Sequence, residues 1–483
     1  MSATWSNYQN AIFDFAQHGQ GNAIVEAVAG SGKTTTIVEA INRIQGSSIF
    51  LAFNKSIAEE LKTRGVNART FHSLTYSPVT RARMTNSVET NKLRHLTKQN
   101  LSQDDDWIYG QFAARLVGLA RQVGIGCLEA DDESAWYDII QHHDLELENE
   151  RAEMPRAVEI ARKLLMWSNA SNLVDFDDML YFAVKDGIVL PKFDFIFVDE
   201  AQDTNAIQRA ILRKIMHAHT RIIAVGDPAQ AIYGFRGADS NSLNLIAEEF
   251  NCTRFPLTVS YRCAKSVVNH ARKWVSHIEP CDDAPEGEVL DLGYKWDHTA
   301  FGIDDLVVCR NTKPLIQLAY RLLKARVPVS VMGREIGQGL KVLINRMKAN
   351  GVDDLELKLE AWAMREVDKA IAKQLDSKAD AVQDKCDAIL CLLHSMDEET
   401  RTIEALLAVI DSLFTDGGRR LKLATIHKAK GLEASRVFWL NSPLCPAKWA
   451  KQEWQKGQEI NLCYVAATRA KHTLVLIEDG KKA

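Results

Sequence analysis

The stretch Ala27-Val-Ala-Gly-Ser-Gly-Lys-Thr-Thr-Thr36, which follows the apolar run Asn22–Val28, decides the fold. A glycine-rich turn after a strand lets successive backbone N–H groups point into one concavity, which suits phosphate oxygens. In this reading Ala29, Gly30, Ser31 and Gly32 line the concavity, and Lys33 reaches the β- and γ-phosphates. Thr34 and Thr35 follow, with the Thr34 hydroxyl as a ligand for Mg2+. Ile37, Ala40, Ile41 and Ile44 fit a helix that starts at the lysine. The strict pattern G-x-x-x-x-G-K-[ST] has glycine where this chain has Ala27. On this motif alone, a strand-to-helix turn without a ligand is the alternative.

A second stretch, Phe193-Asp-Phe-Ile-Phe-Val-Asp-Glu200, reads as a buried parallel strand ending in two adjacent carboxylates. Asp199 is placed to hold Mg2+, through water, and Glu200 to orient and deprotonate an attacking water. A strand end capping a helix is the plainer reading of the pair. Together the two stretches describe a P-loop NTPase that uses Mg2+, in an α/β fold with parallel sheets.

Composition narrows the class. At 483 residues the chain has room for two to four domains. No apolar run is long enough to span a bilayer. The start, MSATWSNYQNAIFDFAQHG, lacks a basic region followed by an apolar stretch, so no export signal is expected. The expected location is cytoplasmic, nucleoid-associated in a prokaryote or host-cytoplasmic for a virus. Nine cysteines without C-x-x-C spacing are expected to be reduced thiols. The net charge of −4 means that any nucleic-acid site is a local patch. Charge does segregate: nine basic residues against three acidic lie between Asn54 and Lys98, then thirteen acidic against three basic from Gln103 to Glu153. Two solvated faces would explain this equally well.

A P-loop alone does not separate kinases, switches and motors. The deciding residues lie downstream: Asp199-Glu-Ala-Gln-Asp203, Arg221-Ile-Ile-Ala-Val-Gly226, Asp227-Pro-Ala-Gln-Ala-Ile-Tyr-Gly-Phe-Arg-Gly-Ala238 and Leu257-Thr-Val-Ser-Tyr-Arg262. Leu421-Lys-Leu-Ala-Thr-Ile-His-Lys-Ala-Lys-Gly-Leu-Glu433 and Asn461-Leu-Cys-Tyr-Val-Ala-Ala-Thr-Arg-Ala-Lys471 follow. With these motifs in this order over nearly its whole length, the chain resembles superfamily 1 DNA helicases of the UvrD/Rep/PcrA type. It also resembles the helicase part of the F-box DNA helicases.

The resemblance implies ATP as the nucleotide, and it implies roles. Gln9 reads the adenine edge, since an amide donates and accepts at once; a surface glutamine is the alternative. Gln230 senses the γ-phosphate. Arg262 and Arg469 are arginine fingers from a second motor domain, where a guanidinium fork suits transition-state charge. Tyr261 stacks on the base, with packing as its rival role, and Glu433 contacts the ribose. Single-stranded DNA falls to Phe53, Asn54, Thr70, Phe71, His72, Phe235, Arg236, Thr425 and His427. Phe235 stands where many relatives carry a stacking tryptophan. Each aromatic and His427 could equally be core filler.

The implied organisation is two RecA-like domains, each with a mainly helical insertion. Residues 1–75 and 173–256 form the first, with the ATP site, around an insertion at 76–172 that is a DNA-binding candidate. Residues 257–333 and 417–483 form the second, around a short insertion at 334–416. In the first insertion Trp107, Phe112, Leu116 and Leu119 are expected on one helix face. Later strands are expected at 288–292, 306–310 and 327–332, a helix at 314–325 and a hinge at 416–418. The hairpin by which UvrD-like enzymes wedge a duplex apart is not expected in the few residues after 477.

The expected function is thus 3′→5′ translocation on single-stranded DNA coupled to unwinding, in replication, repair or recombination. Tailed or forked duplexes are the expected substrates of a monomer, with recombination or replication proteins as possible partners and no membrane. A translocase that strips proteins such as recombinase filaments, or an ATP-gated DNA clamp, are the alternatives.

Overall fold

A computed structural model describes residues 5–143, 145–147, 149, 151–234, 241–372, 375–415 and 419–479. Phe235, Arg236 and the hinge expected at 416–418 lie outside the described residues. Contacts divide the chain into two compact units, Met1–Ala27 with Gly32–Leu257, and Val28–Ser31 with Thr258–Ala483.

The first unit is built on six parallel strands: β1 (Asn22–Ala27), β2 (Ser48–Leu51), β3 (Ala68–Arg69), β4 (Phe195–Val198), β5 (Arg221–Gly226) and β6 (Cys252–Leu257). Their order is β3-β2-β4-β5-β1-β6. Strands β1, β2, β4 and β5 are almost wholly buried, as expected where helices cover both faces of a parallel sheet. On one face Ile12, Phe13, Ile37 and Leu61 form the core with Val25, Phe50 and Phe197. On the other, Ile24, Ile49 and Ile196 join the helices between 71 and 185 in one continuous core. Those helices therefore rest on the sheet itself.

A buried charge cluster ties them together. Lys92 Nζ donates to Asp178 Oδ2 (2.6 Å) and to the Ser168 carbonyl (2.9 Å). Arg121 donates to both Asp175 oxygens (3.1 and 2.8 Å) and pairs with Asp178 at 3.2 Å. Lys92, Asp178 and Arg121 are at most 1% exposed. Burial pushes the Lys92 pKa down to about 8 against the pull of Asp178. Burial and the neighbouring Asp175 push Asp177 up to about 6.

The second unit repeats the architecture. A short pair, β7 (Val259–Ser260) and β8 (Glu279–Pro280), precedes β9 (Glu288–Gly293), β10 (Leu306–Cys309), β11 (Val329–Val331), β12 (Leu421–Thr425), β13 (Ala434–Leu440) and β14 (Ala470–Ile477). The parallel order is β11-β12-β10-β13-β14-β9. Helices Arg334–Met347, Val352–Ala372, Asp376–Ser395 and Ile403–Leu413 stand between β11 and β12 and share that sheet's core through Leu340, Leu359, Leu392 and Ile410.

Four sequence expectations need correction. Trp107 is 68% exposed while Phe112 and Leu116 are buried. Five residues at 100° each carry Trp107 off the buried face, and the Arg151 guanidinium lies over its ring instead. The strand expected at 327–332 is only Val329–Val331. The helix expected from Pro314 begins at Thr312, because Asp384 accepts the N–H groups of Thr312 and Lys313 (both 2.8 Å). The basic stretch 54–98 is not one free face: Lys55, Arg64, Arg83, Lys92 and Arg94 are each paired with a carboxylate.

Candidate active site

The ends of three neighbouring strands meet at the site. In the order β4-β5-β1, Val198 is level with Ala224 and Gly226 with Glu26, so the residues that follow each strand emerge side by side. Ligands of open α/β sheets bind outside these carboxyl ends.

After β1 the chain turns through Gly30 (φ +74°) and Gly32 (φ +75°), left-handed positions that suit glycine. The helix Lys33–Arg43 then starts without any side-chain cap, leaving first-turn N–H groups for a ligand. Ser31 Oγ is buried without a hydrogen-bond partner among the described residues. Thr34 is half-buried and Thr35 exposed. Within the second unit, the Ala29 N–H donates to Tyr464 Oη (2.8 Å) and the Ala29 carbonyl accepts from Ser260 Oγ (2.8 Å).

After β4 come Asp199 and Glu200, and after β5 comes Asp227. Lys33 Nζ lies 3.1 Å from Glu200 Oε1. Burial opposes the Lys33 charge, but Glu200, Asp227 and Asp199 outweigh it and raise the lysine's pKa. Burial also raises the pKa of Asp227, partly offset by Lys33. Asp199 Oδ1 accepts the Glu200 N–H (3.0 Å), and Glu200 itself sits at φ +49°, a costly conformation for a side chain of its size. Gln230 Nε2 donates to Asp227 Oδ2 (2.6 Å).

Gln202 links the two strand ends, and sequence reasoning passed over it. Its Oε1 accepts the Asp227 N–H (3.0 Å) and its Nε2 donates to Glu200. A Cβ at Gly226 would lie 2.5 Å from that Oε1, so the glycine makes room for the amide. The signal was a polar residue between carboxylates in Asp199–Asp203.

Gln9 is buried beside the phosphate turn rather than on the surface. Its Oε1 accepts the Ser6 N–H (3.0 Å) in a capping box, and its Nε2 donates to Thr36 Oγ1 (2.9 Å). Both ends of the amide are therefore engaged within the protein.

In the second unit, Arg262 Nε lies 2.7 Å from Glu433 Oε2, and Lys471 is 2.5 Å from the other Glu433 oxygen. Burial works against the Glu433 charge, but these cations hold its pKa below the ordinary range. Arg469 is 1% exposed and donates to the carbonyls of Val465 (2.9 Å) and Leu432 (3.1 Å). Tyr261 is 44% exposed.

The nucleic-acid candidates divide by exposure. Phe53 is 48% exposed and lies parallel to Tyr233, with ring centres 6.1 Å apart. His72 meets the exposed Phe176 edge-on at 6.3 Å, and burial lowers its pKa. Phe71, expected to contact DNA, is instead 6% exposed within the helical core and offers no face for a base. Asn54, Thr70 and Thr425 are helix N-caps, accepting from Ile57 (2.9 Å), Ser73 (3.1 Å) and Lys428 (3.4 Å). His427 is half-buried. Tyr233 and Phe176 escaped the sequence reading. Phe176 carried no local signal: it follows the N-cap Asp175 just as the buried Phe71 follows the N-cap Thr70.

Residues 8–251 match the UvrD/REP helicase N-terminal domain. The chain belongs to the UvrD/REP helicase family. Residues 359–479 match the UvrD-like helicase C-terminal domain. Among UvrD-like relatives, the F-box DNA helicase protein 1 of Schizosaccharomyces pombe is 26% identical over 94% of this chain and 55% of its own length. The Gabija protein GajB of Bacillus cereus is 24% identical over 96% of this chain and 94% of its own. The ATP-dependent DNA helicase PcrA of Leuconostoc citreum is 24% identical over 56% of this chain and 39% of its own. The chain thus spans about half the length of the F-box relative. Among the described residues no helix is long and apolar enough to cross a membrane.

Proposed function

We propose that this UvrD-like chain is an ATP-driven motor that moves 3′→5′ along single-stranded DNA and separates the strands of tailed duplexes. The observation that carries the reading is the Lys33 ammonium held among Asp199, Glu200 and Asp227 at three adjacent strand ends. Lys33 opens a helix with no side-chain cap among the described residues. This donor set fits a nucleotide triphosphate. Three carboxylates against one lysine also leave negative charge for a divalent cation, and oxygen donors are what Mg2+ prefers.

Gly30, Ser31 and Gly32 seat the phosphates with the first-turn amides, and Lys33 pairs with their β/γ oxygens. Thr34 and Asp199 would hold Mg2+, which supplies neutralisation of the charge on the phosphates. Glu200, released from Lys33 when phosphate oxygens take the ammonium, orients the attacking water and accepts its proton. Gln230, fixed by Asp227, reports the γ-phosphate to the segment that carries Tyr233. Arg262 and Arg469 supply the guanidinium charge that hydrolysis requires, Tyr261 stacks on the base and Glu433 contacts the ribose. Phe53 with Tyr233, and His72 with Phe176, give bases two aromatic platforms.

The test is ATP-dependent displacement of a labelled strand from 3′-tailed and 5′-tailed duplexes, with Lys33→Ala as control. Displacement from the 3′ tail alone, lost in Lys33→Ala, is expected. Displacement from the 5′ tail alone would reverse the polarity. ATP turnover stimulated by single strands without displacement would leave a translocase and remove strand separation.

A further inference from the structure

The helix Val352–Ala372 buries Leu355, Leu359, Ala363 and Ala370. Its opposite face carries Leu357 (67% exposed), Met364 (68%) and Ile371 (56%). Seven residues separate each from the next, so the three fall within about 40° of one another and form a straight apolar seam. Single exposed apolar residues are ordinary; here three lie on one stripe of a 21-residue helix, with the exposed Glu360 and Asp368 between them.

The charges on the seam say what covers it. Asp353, Glu360 and Asp368 lie within about 60° of the Met364 direction, and no lysine or arginine of this helix does; Arg401, from outside the helix, lies 3.8 Å from Asp353. Glu360 and Asp368 stand four residues before and four after Met364, and neither has an ion-pair partner among the described residues. The basic residues farther round are engaged: Lys358 with Asp354 (2.8 Å), Lys369 with Glu366 (3.6 Å), and Arg365 with the Ala361 carbonyl (3.2 Å). A second copy of this helix, docked parallel or antiparallel about Met364, would bring Glu360 and Asp368 against carboxylates. Like charges across a helical seam oppose association.

We propose that this face docks an amphipathic helix of another protein, with apolar residues at seven-residue spacing and lysine or arginine beside them. The apolar seam contributes the contact area and the two unpaired carboxylates set the sign of the partner's charge.

The test uses the full chain and a fluorescein-labelled synthetic helix with leucines at seven-residue spacing flanked by lysines. Fluorescence anisotropy compares it with the same helix flanked by glutamates. The lysine helix should bind at least about tenfold tighter and weaken as salt rises. Met364→Lys should cut that binding about tenfold while leaving the melting temperature and ATP turnover unchanged, since the side chain is exposed. Glu360→Lys with Asp368→Lys should reverse the preference between the two helices. Equal binding of both helices, or unchanged binding by Met364→Lys, would overturn the proposal. Sedimentation velocity showing a dimer that Met364→Lys dissolves would give the face to a second copy and overturn it likewise.

Discussion

The first unit holds two buried charge clusters that look alike in composition and differ in balance. Around Lys92 two cations, Lys92 and Arg121, meet the capping pair Asp175 and Asp178, two charges of each sign, and Asp177 beside them is pushed toward its neutral form. Around Lys33 one cation faces Asp199, Glu200 and Asp227. A buried set that balances internally is complete and fixes helices in place. A set with surplus charge is costly until a counter-ion arrives, which is the condition of a site. The contrast also separates tight packing from chemistry: Asp178 at 0% exposure is the more buried, yet Glu200 is the residue in strained backbone.

The sharpest way to break this comparison is to unbalance the balanced cluster. Lys92→Ala leaves Asp178 buried without its lysine and should cost about 3–5 kcal/mol in urea unfolding. Replacing both partners, Lys92→Met with Asp178→Leu, should cost less than the single change, because no charge is stranded. If the pair costs as much as the single, the lysine acts by filling space.

Lys33→Ala should act on turnover instead. ATP hydrolysis should fall by at least ~100-fold, about 3 kcal/mol of transition-state stabilisation. Its shift in unfolding free energy should be smaller than that of Lys92→Ala. A near-normal rate would mean that surplus charge at three strand ends does not mark the site.

The smallest effect is a pH dependence at the edge of the balanced cluster. Asp177 has a folded pKa of about 6, above the ordinary carboxylate value of about 4. The folded state therefore binds a proton more tightly between those values, and the stability this gives is lost as pH rises through about 6. Wild type should lose on the order of 1–2 kcal/mol relative to Asp177→Asn between pH 4 and 6, measured by chemical unfolding at each pH. Parallel profiles would place Asp177 in contact with water.

Much of this was legible along the chain. The turn Ala27–Thr36, the strand ending at Asp199 and Glu200, and the run from Asp227 announce themselves because local backbone geometry and a strand's apolar period are written in neighbouring residues. Family membership followed from motif order. The residue-by-residue fate of the aromatics was not legible. Phe71 and Phe176 each directly follow a helix N-cap, Thr70 and Asp175, yet the first is 6% exposed and the second 54%.

Sequence by itself determined the P-loop, the paired carboxylates and the alternation that builds two parallel sheets, since each depends on residues close in the chain. Only the tertiary structure decided that Asp227 and Gln202 join Lys33, that Tyr233 lies on Phe53, and that Lys92 is buried against Asp178, 86 residues away. Such pairings depend on which strands and helices become neighbours, and burial sets their energies by removing water from charges that the sequence leaves in solvent.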